Sequence, residues 1–159
     1  MIDLRLKMWY ADRKWEGIVM GKDTSEIVKE LGLCPDFKTF YHENQSYMID
    51  CSLADLLAEL LQKTGKSKSA VIRASELTEV YAYQIFSGLR IPERKKLLCL
   101  AVAMGLNVEE TQKLLKCAGY STLYVKQPFD SIVLYGLCKG YSVMQINELL
   151  YDYHQETLG

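Results

Sequence analysis

The fold of this chain is decided by residues 66 to 92, KSKSAVIRASELTEVYAYQIFSGLRIP. Within this stretch, Ser67 can cap a first helix and Thr78 can cap a second. Residues 75 to 77 remain for the turn between the two helices. Gly88 then supplies the left-handed residue that ends the second helix. The stretch therefore predicts two short helices joined by a tight turn.

The apolar residues of this stretch recur at helical spacing and predict the inward faces of both helices. They are Val71, Ile72, Ala74, Ala82, Ile85 and Phe86. Helices this short are not stable alone, so they need a scaffold. On one side, Ser52 to Asp55 is a capping-box pattern that opens a Leu-rich amphipathic helix. On the other side, Pro92 is placed to open a Leu- and Ala-rich helix, Glu93 to Met104, which Gly105 ends.

Taken in order, these residues resemble the Cro/Xre-type helix-turn-helix repressor domain. The resemblance is carried by Ser67-Lys68, Val71-Ile72, Leu77-Thr78, Ile85, Gly88, Pro92 and the Leu-rich helix that ends at Gly105. The segment YAYQIFSGLRIPERKKLLCLAVAMGLNVEETQKLLKCAGY resembles, more specifically, small bacterial helix-turn-helix proteins with a helical C-terminal extension. This likeness covers about residues 50 to 159. It implies an all-α fold, a lambda-repressor-like helix-turn-helix bundle extended by C-terminal helical hairpins.

The resemblance also implies a function, that of a sequence-specific DNA-binding transcriptional regulator. In the family the second helix of the motif enters the major groove. Carried over by position, the base-reading residues are Thr78, Glu79, Val80 and Gln84, and the backbone contacts are Lys68, Ser87 and Arg90. Gln can pair with adenine, Glu can accept from cytosine, and Val or Thr methyls can pack on thymine.

The chain departs from the family pattern at Ile72, where members carry a small Ala, and at Glu76, where they carry Gly. A left-handed Glu costs on the order of 1 kcal/mol. The second helix also lacks Arg. These departures favour an alternative, a helical adaptor that keeps the helix-turn-helix fold without strong DNA binding and uses its tyrosines and C-terminal hairpins to hold another protein.

Charge is concentrated at the same place. The net charge of the whole chain is −1, yet residues 61 to 96 hold 8 basic and 3 acidic side chains. The basic set is Lys63, Lys66, Lys68, Arg73, Arg90, Arg94, Lys95 and Lys96. Lys66, Arg73, Arg94 and Lys95 therefore join the predicted backbone contacts, together with the outward Tyr83, whose hydroxyl can reach a phosphate. The competing interpretation is that Arg94 to Lys96 only solvate a helix face. Because the flanks are acidic, we expect weak nonspecific binding that fades with salt.

The C-terminal half repeats itself at an offset of 35 residues. Leu97 to Leu115 aligns with Ile132 to Leu150, with Gly105 on Gly140. Each copy predicts a helical hairpin whose second helix starts at a capping-box pattern. The joining segment, residues 119 to 130, is predicted as a loop whose apolar side chains fold onto the bundle; these are Leu123, Tyr124, Val125 and Phe129. One side of the last helix predicts a homodimer surface, formed by Val143, Ile146, Leu149, Leu150 and Tyr153.

The N-terminal third is less informative. Residues 20 to 50 predict a helical lead-in, opened by Asp23 to Glu26 and continued by a helix from Pro35 to Asn44, with Phe37, Phe40 and Tyr41 docked. Residues 1 to 19 alternate in polarity, which favours a short β-hairpin or a leader that is not part of the native protein. Our hypothesis for the leader is a native start at Met20, because Trp-Glu-Gly just before it can be encoded as a ribosome-binding sequence. Residues 51 to 106 form the predicted helix-turn-helix domain and residues 107 to 159 its extension.

Composition and motifs exclude other classes. At 159 residues and 49% hydrophobic, the chain can bury a real core. It has no apolar run of membrane-spanning length and no signal-peptide core, so a cytoplasmic location is expected. Five cysteines without C-x-x-C spacing predict reduced, mostly buried thiols. With two histidines, no metal-ligand cluster, no phosphate loop and no nucleophile motif, we expect neither an enzyme nor a cofactor, metal or small-molecule ligand. The expected partner is double-stranded DNA.

Overall fold

The computed structural model describes residues 22–159, which fall into two units divided between Ile49 and Asp50. Within the described residues all regular structure is helical, nine α-helices and one 3-10 helix. The all-α prediction is therefore confirmed for that part of the chain. The predicted hairpin over residues 1 to 19 and the hypothetical start at Met20 lie outside the described residues.

The first unit, from Lys22 onward, contains α1 (Thr24–Leu33), α2 (Phe37–Asn44) and the 3-10 helix Gln45–Tyr47. Asp23 and Glu26 open α1 as predicted, and they do so as a capping box. Of the three aromatic residues expected to dock, only Phe40 is buried, whereas Phe37 and Tyr41 are exposed. The prediction was wrong for these two because a pair of short helices has too little inner surface to cover three rings.

The second unit consists of seven helices. They are α3 (Leu53–Thr64), α4 (Lys68–Ala74), α5 (Glu79–Phe86), α6 (Arg94–Met104), α7 (Val108–Cys117), α8 (Pro128–Lys139) and α9 (Val143–Asp152). The central element is α6, in which every residue from Leu97 to Met104 is buried. Helices α3, α4, α7 and α9 all pack against it. One continuous apolar cluster, running from Leu56 to Leu158, therefore joins the predicted helix-turn-helix and its extension.

The residues at the ends of α4 and α5 are the ones predicted to begin and end these helices. The Ser67 hydroxyl accepts a hydrogen bond from the Ala70 N–H, and Gly88 has a φ of +79° where α5 ends. Thr78 occupies the N-cap position of α5, but its side chain accepts no capping hydrogen bond. The boundaries were thus predictable from local chemistry, because caps and left-handed residues act within one turn.

Two local predictions need correction. Ala74 is exposed, because it lies beside the buried stripe formed by Val71, Ile72 and Ser75. Pro92 does not open α6, since the helix begins at Arg94 with Glu93 as its N-cap. The carbonyl oxygen of Pro92 instead accepts a hydrogen bond from the Tyr120 hydroxyl at 2.6 Å. Pro92 is therefore a buried anchor just ahead of the helix.

The internal repeat is structural. Helices α6 and α7 form one hairpin and α8 and α9 form the other. Gly105 and Gly140 have φ values of +69° and +68° at equivalent turns. Capping boxes open α7 at Asn107 and α9 at Ser142, as predicted. The connecting loop is shorter than predicted because α8 starts at Pro128. Of its side chains Leu123 is buried and Phe129 packs on the core, but Tyr124 and Val125 are exposed.

The side of α9 that predicted a dimer surface faces the protein's own core. Val143, Ile146 and Leu150 are fully buried. Leu149 is half-buried, and Tyr153 remains exposed. An amphipathic stripe shows that a helix needs a partner but does not show whether the partner is a second copy or the rest of the same chain. Here the α6–α9 packing supplies the partner.

The prediction of reduced, mostly buried cysteines was wrong. Cys51, just before α3, forms a disulfide with Cys117, the last residue of α7, across a sequence separation of 66 residues. Of the three free thiols, Cys99 is buried, Cys34 is half-buried and Cys138 is exposed. Spacing along the chain does not predict a bond of this kind because the pairing comes from the tertiary packing of α3 against α7.

Candidate nucleic-acid interface

Helix α5 carries most of the residues that the sequence predicts to read DNA bases. It packs against α3 and α4 through Ala82, Ile85 and Phe86, which are buried. The predicted base-reading residues Thr78, Glu79 and Val80 are all exposed, and Val80 is 70% exposed. Gln84 is only half-buried, so its amide keeps access to solvent. The structure therefore places Glu79, Val80 and Gln84 on α5 and Thr78 at its N-cap, with the first turn of the helix exposed.

The turn before α5 contains the unusual Glu76. Its φ of +60° places it in the left-handed region, as predicted for a position where the family has Gly. Buried Ser75 supports this conformation, because its hydroxyl donates to the Ile72 carbonyl at 2.7 Å and accepts from the Leu77 N–H at 3.3 Å. Ile72, the other departure, is accommodated in the core at 2% exposure. The turn thus keeps the two-helix geometry without a glycine.

Two of the predicted backbone cations lie directly beside α5. The Lys68 ammonium is 5.4 Å from the centre of the Phe86 ring, and the Arg90 guanidinium is 5.5 Å from the centre of the Tyr81 ring. Both distances are within the range of cation–π contacts. The two cations start on different segments, one at the beginning of α4 and one after α5. They therefore place positive charge next to α5, although α5 itself carries no basic residue.

Other predicted backbone residues remain exposed around this helix. Arg73 is exposed on α4, and Tyr83 points outward from α5 at 47% exposure. Ser87 is exposed as well, and its hydroxyl donates to the Gln84 carbonyl at 3.1 Å. Arg73 and Tyr83 thus present exposed groups that can donate hydrogen bonds to phosphate oxygens, whereas the single hydroxyl hydrogen of Ser87 is already donated to Gln84.

Three predicted backbone cations are used within the protein. Arg94 forms a salt bridge with Asp130, and Lys95 forms one with Glu156. The Lys66 ammonium donates to the Ala103 carbonyl near the end of α6, at 3.2 Å. Arg94 makes the most intramolecular contacts of the three, since it also donates to the carbonyls of Ser121 and Thr122. Lys68 and Arg90 thus lie beside α5, Arg94 and Lys95 are paired with the C-terminal extension, and Lys66 is bonded to the end of α6.

Two exposed apolar residues in the turn after α5 were not among the predicted site residues. Leu89 and Ile91 are 82% and 70% exposed and lie on either side of Arg90. The N–H groups of Leu89 and Arg90 both donate to the Gln84 carbonyl, at 2.9 and 3.2 Å.

Across residues 22–159, no three His, Cys, Asp or Glu side chains are grouped so that they could hold a metal ion. None of the helices in that range is both long and apolar enough to pass through a membrane.

Comparison with known proteins found no matching family model, no matching curated protein and no matching solved structure.

Proposed function

We propose that this protein is a sequence-specific DNA-binding transcriptional regulator that reads the major groove with α5. The observation that supports this proposal is the combination of an open α5 surface with two cations held against its rings, Lys68 on Phe86 and Arg90 on Tyr81. A helix with an outward polar turn and cations at its edges matches what groove reading requires, namely backbone anchors that position base-contacting side chains.

In the proposed complex, different side chains supply affinity and specificity. Lys68, Arg73 and Arg90 neutralise phosphates, which supplies most of the affinity and makes it salt-dependent. Thr78, Glu79, Val80 and Gln84 face base edges, and the methyl groups of Thr78 and Val80 suit thymine. Arg94 and Lys95 are left out of this proposed set because their charges are satisfied by Asp130 and Glu156.

Selection of bound sequences from a random duplex pool tests the proposal. We expect a short consensus to be recovered at low salt. On that consensus, Lys68→Ala should reduce the slope of log K against log salt by about 1, because one phosphate contact is lost. Gln84→Ala should instead relax preference at one base pair, at a cost of about 1 to 3 kcal/mol.

Lys126→Ala is a matched control for the loss of one charge. Lys126 is exposed in the segment between α7 and α8. The Lys126→Ala substitution should leave the slope of log K against log salt unchanged. If Lys68→Ala and Lys126→Ala behave alike, the cations beside α5 do not contact DNA and the proposed interface is wrong.

A second candidate, a helical adaptor that binds another protein, is favoured by the exposed apolar residues near α5. Val80, Leu89 and Ile91 are each at least 70% exposed, and an apolar group on a surface that must face phosphates contributes little. The adaptor would be supported if the random pool returned no consensus sequence and if any residual DNA affinity were the same in Lys68→Ala, Gln84→Ala and the wild type.

A further inference from the structure

The disulfide lies close to the end of the reading helix. Cys51 comes two residues before α3, and Ala54 belongs to the first turn of that helix. A Cβ placed on Gly88 would lie 3.4 Å from the Ala54 Cβ, so the first turn of α3 touches the turn that ends α5. Cys117 meanwhile belongs to the end of α7, so the disulfide fixes the first turn of α3 between α7 and the Gly88 turn.

The other end of α3 is held to the same partner helix. Lys63, in the last turn of α3, forms a salt bridge with Glu110, in the first turn of α7. Helices α3 and α7 are therefore antiparallel and are fastened at both ends. The Lys63 side chain is 65% exposed, so this salt bridge contributes little. The disulfide is consequently the strong fastening, and it is the one located at the Gly88 turn.

The disulfide is also within reach of small thiols. Cys51 is exposed and Cys117 is half-buried, in contrast to the fully enclosed Cys99. Access by a thiolate is one of the conditions for thiol–disulfide exchange. Exposed disulfides are the more labile ones, and one of the two residues of this bond, Cys51, lies at the surface.

We propose that the Cys51–Cys117 disulfide is a redox-responsive clasp that controls the order of the Gly88 turn, including Arg90. In its oxidised state the clasp holds the first turn of α3 against that turn. In its reduced state the first turn of α3 is free to fray, and the turn that carries Arg90 loses the packing contact with that helix. The consequence for DNA affinity rests on the proposed function, whereas the effect on the turn does not.

The chemistry of closure is a two-step exchange with a small disulfide of the glutathione class. The Cys51 thiolate attacks one sulfur of the small disulfide, forming a mixed disulfide and releasing one small thiol. The Cys117 thiolate then attacks the Cys51 sulfur and releases the second small thiol. Two protein thiols are oxidised, one small disulfide is reduced to two thiols, and the reverse sequence opens the clasp.

Backbone hydrogen exchange of the wild-type protein tests the clasp without DNA. The N–H groups of Leu89 and Arg90 report on the Gly88 turn because both donate to the Gln84 carbonyl. In reduced glutathione we expect them to exchange about tenfold faster than in oxidised glutathione, because local opening becomes easier. The Leu106 N–H is a matched control, since it donates to the Ala101 carbonyl in the equivalent turn after α6. Its rate should not change.

Two variants complete the test. Cys117→Ser should exchange rapidly at Leu89 and Arg90 in both buffers. Cys138→Ser, which removes an exposed thiol of α8, should behave as the wild type. The clasp is overturned if Leu89 and Arg90 exchange at the same rate in both buffers. It is also overturned if alkylation and mass spectrometry find the same fraction of Cys51–Cys117 bond in oxidised and reduced glutathione.

DNA binding by the wild-type protein, measured in the same two buffers, separates this inference from the proposed function. We expect binding to be about tenfold tighter in oxidised glutathione, because an ordered Arg90 turn is preorganised for a phosphate. Exchange rates that respond while no duplex is bound in either buffer would support the clasp and contradict the DNA-binding proposal. Exchange rates that respond while DNA affinity is equal in both buffers would overturn the regulatory consequence.

Discussion

Arg94 and Asp130 form a two-point ion pair that ties the start of α6 to the start of α8. Their nitrogen and oxygen atoms meet at 2.9 Å and 3.0 Å, and Asp130 also accepts the Tyr124 N–H at 2.9 Å. Only 9% of the Asp130 side chain is exposed. The pair therefore fixes the second copy of the repeat to the first, and Arg94, predicted to be a DNA contact, is part of the fold.

Removing the arginine should be costly. Arg94→Met leaves a buried carboxylate without its counter-charge, and we expect the free energy of unfolding to fall by about 3 kcal/mol. Urea denaturation followed by circular dichroism measures the change. Arg73→Met, on the exposed surface of α4, is the control and should alter stability by less than about 0.5 kcal/mol. Equal effects of the two variants would show that the ion pair is not what fastens α8.

Reduction of the Cys51–Cys117 bond should lower stability through the unfolded chain. Because the bond closes a loop with a separation of 66 residues, it removes much of the freedom of the denatured state. We expect the unfolding free energy to fall by about 2 to 4 kcal/mol on reduction. Denaturation with and without a reductant provides the measurement. Cys51→Ser should be insensitive to the reductant, and Cys138→Ser should respond as the wild type does.

Glu76 offers a stabilising substitution. Its φ of +60° costs an L-residue energy that glycine does not incur. Glu76→Gly should therefore raise the unfolding free energy by about 0.5 to 1 kcal/mol, although part of the gain is offset by the greater freedom of glycine in the unfolded chain. Glu79→Gly, at the first residue of α5, is the contrasting variant and should lower the unfolding free energy, because it removes a carboxylate that is favourable at a helix N-terminus. A thermal melt that ranks the two variants in the opposite order would contradict this reasoning.

Cys99 should make stability fall at alkaline pH. Burial raises the pKa of its thiol to about 11, and its sulfur donates to the Leu158 carbonyl at 3.8 Å. The folded-state pKa of Cys99 lies above its unfolded-state pKa. The contribution of the protonated thiol to the free energy of unfolding is therefore complete at low pH and is lost as the pH rises from about 8.5 towards the folded-state pKa. The stability difference between the wild type and Cys99→Ala should therefore narrow over that range. A constant difference would show that the thiol ionises equally in both states.

Local chemistry made the helix boundaries predictable. Ser67, Asn107 and Ser142 cap the helices they were predicted to cap, and the repeat places Gly105 and Gly140 at equivalent turns. Each of these signals acts within about one turn of a helix. The open surface of α5 follows from the same logic, because its inward residues could be identified from their spacing.

Long-range pairings were not predictable. Whether Arg94 meets a phosphate or Asp130 depends on how α8 lies against α6, and a list of charges does not contain that information. The meeting of Cys51 with Cys117 has the same origin, since it requires α3 and α7 to be antiparallel neighbours. The stripe on α9 was recognised correctly as apolar, but its partner was the core. In each case the partner of a side chain or helix face is determined by tertiary packing, and the local sequence pattern does not distinguish between the possible partners.

The second hairpin depends on the absence of one methyl group. Gly136 is buried within α8, and a Cβ there would overlap the Cγ1 and Cδ1 atoms of Ile146 in α9. The equivalent positions of the first hairpin, at the 35-residue offset, are Ala101 and Thr111. A larger residue on one helix is thus matched by a smaller one on the other, which indicates that the two positions compensate in volume.

This compensation predicts that Gly136→Ala lowers or raises the stability of the protein depending on which residue occupies position 146. Gly136→Ala should destabilise the wild type by about 1 to 3 kcal/mol, because Ile146 must move within a packed core. Ile146→Ala alone should cost about 2 to 5 kcal/mol through the cavity it leaves. In the Ile146→Ala background, however, Gly136→Ala should stabilise the protein by up to about 1 kcal/mol, since the added methyl group then enters free space and alanine favours a helix. A double-mutant cycle in urea measures the coupling. Additive effects would mean that Gly136 and Ile146 do not control the spacing of α8 and α9.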